Sequence, residues 1–207
     1  SLDDSETKPC GKCANCLGEP VAKVALDESL ILSAQRYLRH SEMELVLAKQ
    51  TPKGAFVEYE ISYNIPQSER AKKGRILSRW GDAGWGGLVK KGVYDGGFDD
   101  ALVEAAAELY EKRWTKEASP RWVTCIPSDR SVDLVPNFAS KLAARLGLPF
   151  ANVIHKVKDH APQRDQVNRF YRCQNLDGVF EVDDDMPGGP VLLVDDLVHS
   201  GWTLTVA

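Results

Sequence analysis

The sequence predicts an α/β fold built on a parallel sheet, and three observations carry that expectation. Val191-Leu192-Leu193-Val194 is an uninterrupted apolar block that stops at Asp195 and Asp196, as a strand buried on both faces does at its carboxyl end. Trp122 to Ile126 is a second such block, ending in the polar turn Pro127-Ser128-Asp129-Arg130-Ser131. Amphipathic helical stretches, Asp99 to Trp114 and Val132 to Leu146, stand beside these strands, and alternation of this kind builds parallel sheets. Ligands of such sheets gather beyond the carboxyl ends of the strands.

Composition bounds the rest. With 207 residues, 43% of them hydrophobic, the chain is long enough to bury the core of one or two domains. No run approaches the roughly 18 apolar residues of a membrane span, and the first ten residues lack the apolar centre of a signal peptide, so a cytoplasmic location is expected. The 26 basic and 30 acidic residues leave a net charge of −4, so any nucleic-acid surface must be local.

Residues 1–20 are expected to form a small metal-binding unit. Cys10, Cys13 and Cys16, at CxxCxxC spacing, can place three thiolates on one turn, as a zinc centre needs; an iron-sulfur ligand set or three free thiols are the competing readings. The run CGKCANCLG resembles the zinc-binding subdomain of RecQ-family DNA helicases. That resemblance implies a structural zinc, a fourth cysteine upstream, and a chain that is the C-terminal part of an ATP-dependent, DNA-unwinding protein. ATP would belong to the upstream motor alone, since no GxxxxGK[ST] loop is present here.

Residues 21–70 read as a helical and hairpin connection. Ala25 to His40 predicts a helix capped by Asp27, with Leu30, Ile31, Ala34, Tyr37 and Leu38 packing on one side. Glu42 to Tyr63 allows a small hairpin or wing around Pro52-Lys53-Gly54. From Arg70 to Lys91, the cations Lys72, Lys73, Arg75 and Arg79 are interleaved with Trp80 and Trp85. Cations for phosphates and flat rings for bases are what single-stranded DNA requires, and a solvated helix face with core tryptophans fits the same residues.

Residues 71–207 hold the expected parallel-sheet domain. The turn after Ile126 offers Ser128 and Arg130 to an anion, or Ser131 as an ordinary helix cap. A further strand is expected over Pro149 to Val157. After Asp196, the loop His199-Ser200-Gly201-Trp202-Thr203 brings hydroxyls and a glycine to the strand end, which suits a phosphate.

VLLVDDLVHSGWT resembles the phosphoribosyl-pyrophosphate signature of type I phosphoribosyltransferases. His155 through Arg164, then Arg169, Arg172, Asn175, Gly178 and Phe180, resemble the ComF branch of that family, over roughly Gly74 to Ala207. The resemblance implies that Asp195 and Asp196 face ribose hydroxyls, that residues 199–203 wrap the 5′-phosphate, and that Arg130, Lys156, Lys158 and Arg164 serve the pyrophosphate with magnesium. His199 and Trp202 depart from it, standing where Thr and a small residue are usual. The short stretch after Trp202 implies a domain cut short at its C-terminus. The chain is thus expected to be the C-terminal region of a RecQ-like helicase with an appended phosphoribosyltransferase-like domain. A free-standing ComF-like enzyme of salvage or DNA uptake is the alternative.

Overall fold

The computed structural model of the chain describes residues 10–18, 27–41, 43–114, 119–128 and 131–207. It is a mixed α/β structure whose centre is a small parallel sheet. Strand β3 (Trp122–Cys125) runs alongside β6 (Val191–Val194) with Trp122 opposite Val191 and Cys125 opposite Val194. On the other side of β3, Val123 bridges Phe150 in parallel, its amide donating to the Pro149 carbonyl and its carbonyl accepting from Ala151.

Strand alternation sends neighbouring side chains to opposite faces, and here it separates two hydrophobic clusters. Val123, Cys125, Leu192 and Val194 face helices α4 (Asp100–Glu108) and α5 (Leu134–Leu146), against Val103, Ala107, Val135 and Leu142. Trp122 and Leu193 face the other way, into a cluster with Phe56, Leu176, Phe180 and Trp202. The sheet therefore has a helical layer on one face and a mixed layer on the other. Burial on both faces explains the unbroken apolar run of β3, all four residues of which are buried; in β6 Leu192 is buried and Val191 is 41% exposed.

Local chemistry sets the helix ends. Asp99 caps α4 by accepting from the Ala101 amide at 2.8 Å, and the helix relaxes into a π turn over Leu109–Arg113, where the Trp114 amide donates to the Leu109 carbonyl. Helix α5 tolerates Pro136 in its first turn and stops at Gly147 in the left-handed conformation. Ser131 accepts from the Leu134 amide through its carbonyl, and among the described residues no side-chain cap bond starts α5.

The mixed layer departs from expectation. The single strand expected over Pro149 to Val157 changes partners midway: Phe150 lies beside β3, whereas β4 (Ile154–Lys156) pairs antiparallel with β5 (Phe180–Val182). Helix α6 (Arg169–Gln174) precedes β5. Gln163, Arg172 and Asn175 hold the preceding loop to it. The Gln163 amide group donates to the Arg172 carbonyl at 3.0 Å, and Asn175 both accepts from and donates to the backbone of Ala161.

At the amino-terminal end, α1 (Ala14–Leu17) carries the cysteine region and α2 (Glu28–His40) begins at Asp27, whose carboxylate accepts from the Ser29 amide. The expected packing stripe of α2 is largely open: Leu30 is 68% and Tyr37 74% exposed. Its last turn is engaged, where the Arg39 carbonyl accepts from the Trp85 indole. The hairpin expected within Glu42 to Tyr63 is partly replaced. Backbone bonds from Thr51 to Tyr63 and from Ile65 to Lys49 close the chain around the Pro52-Gly54 turn, but β1 (Met43–Leu45) pairs with β2 (Gly74–Ile76). Helix α3 (Gly86–Asp95) follows. Among the described residues, no helix is long and apolar enough to cross a membrane.

Candidate functional site

The register of β3 and β6 decides where the site lies. Because the Ile126 amide donates to the Val194 carbonyl at 2.9 Å, the ladder continues to the last residue of β6, and both strands release their chains at one end. Ser128 and the turn beginning at Asp195 therefore emerge side by side. Asn152, exposed on the segment next to β3, joins them, with the Cys125 thiol 3.8 Å from its Oδ1. Asn152 carried no motif in the sequence; only the pairing of Phe150 with Val123 brings it to this end.

Asp195 and Asp196 are both half-buried. The Asp195 carboxylate accepts from the Asp196 amide at 2.8 Å, which fixes the turn between them. Its charge is felt next door: burial, and then the nearby Asp195 carboxylate, push the Cys125 thiol up to about 11. His199 and Ser200 are exposed, and Gly201 takes the left-handed conformation at φ 72°. A side chain there would be strained, and its Cβ would lie 3.0 Å from Leu47.

Trp202 departs from a ligand-facing role. It is 6% exposed and packed in the mixed-layer core, with the Arg169 guanidinium 5.0 Å above its ring. The indole therefore holds the loop down on the core, while the peptide groups around it stay available. Among the described residues, no acceptor takes the amides of residues 199–203.

Of the remaining residues expected here, the side chains of Lys156 and Lys158 are described. Lys156 closes β4, in the antiparallel pair, and is half-buried. The Lys158 ammonium group lies 2.7 Å from Glu58 and donates to the Asp177 carbonyl, and the bond to Glu58 raises its pKa. Arg130 lies outside the described residues, as does the side chain of Arg164. A cavity of about 1020 Å³ with a largely apolar lining adjoins the site, bounded by β2, α4, α5 and β6 and reaching Asp195 and Asp196.

A second centre stands at the amino-terminal end. The sulfurs of Cys10, Cys13 and Cys16 lie within 4.8 Å of one another, with Cys13 to Cys16 at 3.3 Å and Cys10 to Cys16 at 3.7 Å. Tetrahedral zinc with bonds of about 2.3 Å needs sulfurs about 3.8 Å apart, so the three thiols fit three corners of such a site. Backbone amides of Lys12 and Cys13 donate to the Cys10 sulfur and draw its pKa down to about 7, favouring the thiolate that a metal binds. Among the described residues, this is the one group of three or more candidate ligands, so a fourth ligand is not supplied by them.

Thiol chemistry separates the two centres. Burial pushes Cys173 up to about 12 and Cys125 to about 11, whereas the cluster cysteines are exposed. Alkylation of the folded chain at neutral pH, followed by peptide mass mapping, should therefore modify Cys10, Cys13 and Cys16 and spare Cys125 and Cys173. Equimolar zinc should protect all three cluster cysteines together; protection of none would remove the metal from this site.

The six residues offered to DNA are not equivalent. Lys73 and Arg75, on or beside β2, lie 3.2 and 3.6 Å from Glu44, and the Arg75 side chain is only 9% exposed. Trp85 is half-buried beneath the Arg39 guanidinium at 4.6 Å. Lys72 is exposed beside the pair, Arg79 and Trp80 are exposed further along, and Trp80 meets Tyr94.

Comparison of the chain with protein-family models, curated proteins and solved structures finds no match.

Proposed function

We propose that the carboxyl end of the parallel sheet binds a phosphorylated ribose, of the kind carried by phosphoribosyl pyrophosphate. The observation that carries the reading is the junction of β3 and β6. A half-buried acid pair and a loop of amides without acceptors among the described residues leave the sheet at one end. In this reading, Asp195 and Asp196 accept hydrogen bonds from the ribose hydroxyls, while the amides of residues 199–203 with the hydroxyls of Ser200 and Thr203 hold the 5′-phosphate. In this reading Ser128, from the neighbouring strand end, faces the pyrophosphate, and Lys156 would supply positive charge to it; Arg130, offered for the same role, lies outside the described residues.

The same arrangement suits phosphoribosyl transfer. A cation develops at the sugar's C1 as pyrophosphate departs, and the acid pair would stabilise it. Magnesium, when bound, would neutralise the pyrophosphate. Among the described residues, Asp195 and Asp196 join no group of three candidate ligands, so the ion would be held chiefly by the ligand's own phosphates.

The phosphate requirement gives the test. Ribose 5-phosphate at a hundredfold excess over its dissociation constant should stabilise the chain by about 2.7 kcal/mol, raising the melting temperature by about 5 to 10 °C, while ribose should leave it unchanged. Equal shifts from both sugars, or none from either, would count against a phosphate-anchored site.

We further propose that the cysteine cluster is a structural zinc centre of the RecQ kind and that the ribose-binding domain works beside a DNA-unwinding motor. The convergence of the three sulfurs supports the zinc part. Helicase motifs in the reading frame preceding Ser1 would decide between this arrangement and a free-standing ComF-like enzyme.

A further inference from the structure

Two large aromatic side chains stand exposed next to each other on the α3 side of the molecule. Trp80 is 47% and Tyr94 74% exposed, with ring centroids 6.4 Å apart and planes inclined at 59°. Neither ring fills the core. The loop that carries Trp80 is firmly held: Asp82 accepts from the amides of Arg79, Gly84 and Gly86, each at 2.9 Å. Gly86 lies so close to this loop that a Cβ would stand 2.1 Å from the Arg79 carbonyl oxygen. The tryptophan is thus displayed from a fixed turn.

The cations around this pair differ from those on β2. Lys73 and Arg75 are taken up by Glu44, whereas the side chains of Arg79, Lys90 and Lys91 meet no acid among the described residues. Lys90 and Lys91 precede Tyr94 by four and three residues on α3, which places them beside it on the helix surface. Arg79 adjoins Trp80. Asp95, next to Tyr94, is the exposed acid of the neighbourhood, and Asp82 is occupied by the amides it holds.

We infer that Trp80 and Tyr94, flanked by Arg79, Lys90 and Lys91, form a stacking platform for single-stranded nucleic acid. Two exposed π faces bear unstacked bases without regard to their identity, and three uncommitted cations meet the phosphates between them. A duplex, whose bases are already stacked, gains only the electrostatic part. The platform stands on residues other than those of the ribose site, although Arg79 and Trp80 also line the cavity that reaches Asp195 and Asp196.

Anisotropy of a labelled oligothymidylate of about 16 nucleotides tests it on the whole 207-residue chain. Trp80→Ala and Tyr94→Ala should each weaken binding roughly tenfold, and Trp80→Phe, which keeps a ring, should retain most of it. Replacing Arg79, Lys90 and Lys91 by Ala should reduce the slope of log affinity against log salt by about 2. Lys73→Ala should change neither quantity. Because the altered side chains are exposed, circular dichroism should remain that of the unaltered chain. Absence of binding at low salt, a Trp80→Ala variant as tight as Trp80→Phe, or equal affinity for a blunt duplex would each overturn the proposal.

Discussion

Asp195→Asn combined with Asp196→Asn is expected to weaken phosphoribosyl pyrophosphate binding at least about a hundredfold while leaving the chain folded. Each carboxylate would give the ribose charge-assisted hydrogen bonds, worth about 1.5 to 3 kcal/mol apiece, and an amide of the same shape returns only part of that. Both acids are half-buried, so the substitutions preserve volume and remove charge. One local effect marks the site. With the Asp195 charge gone, the Cys125 thiol should titrate lower than it does now, because that charge contributes to raising it. Competition against a fluorescent analogue would measure the affinity, and a double variant that binds as tightly as the unaltered chain would take the acid pair out of the site.

Asp177→Ala is expected to cost about 3 kcal/mol of stability. Asp177 is 7% exposed, and its carboxylate accepts from the amides of Val57, Glu58 and Tyr59 at 2.7, 2.8 and 3.1 Å. Truncation leaves those three donors without the acceptor around which the segment is wound. The consequence reaches the core: Phe56 precedes that segment in the cluster that also holds Trp202, and the Tyr59 hydroxyl donates to the Phe180 carbonyl at 2.7 Å. Asp177→Asn, keeping one acceptor oxygen, should lose about half as much. Urea denaturation would report both, and equal stability of all three proteins would mean that the amides find other partners.

Much of the architecture could be read from the residues because it rests on local or periodic signals. Strand β3 announces itself as an unbroken apolar run because all four of its residues are buried, and β6 carries a similar run with side chains in both clusters. Asp27 is visible as a helix cap because the capping bond spans two residues. The three cysteines converge because their spacing fits one turn.

What escaped prediction depends on partners distant in the chain. Asp177 looks like an ordinary loop acid, yet its three donors lie 118 to 120 residues away. Strands β1, β2, β4 and β5 are three residues each, too short for alternation to show, and β1 passes over the nearer segment to pair with Gly74–Ile76. Lys73 and Arg75 read as free cations until Glu44 is seen across that pairing. Trp202, an odd residue for a phosphate loop, becomes intelligible as the core anchor that fixes the loop's position.

Isothermal titration of phosphoribosyl pyrophosphate, with magnesium present, into the unaltered chain tests the central claim most directly. A saturable heat corresponding to one site per chain is predicted. Heat indistinguishable from dilution, under conditions where the protein is folded, would contradict a sugar-phosphate site at the end of β3 and β6.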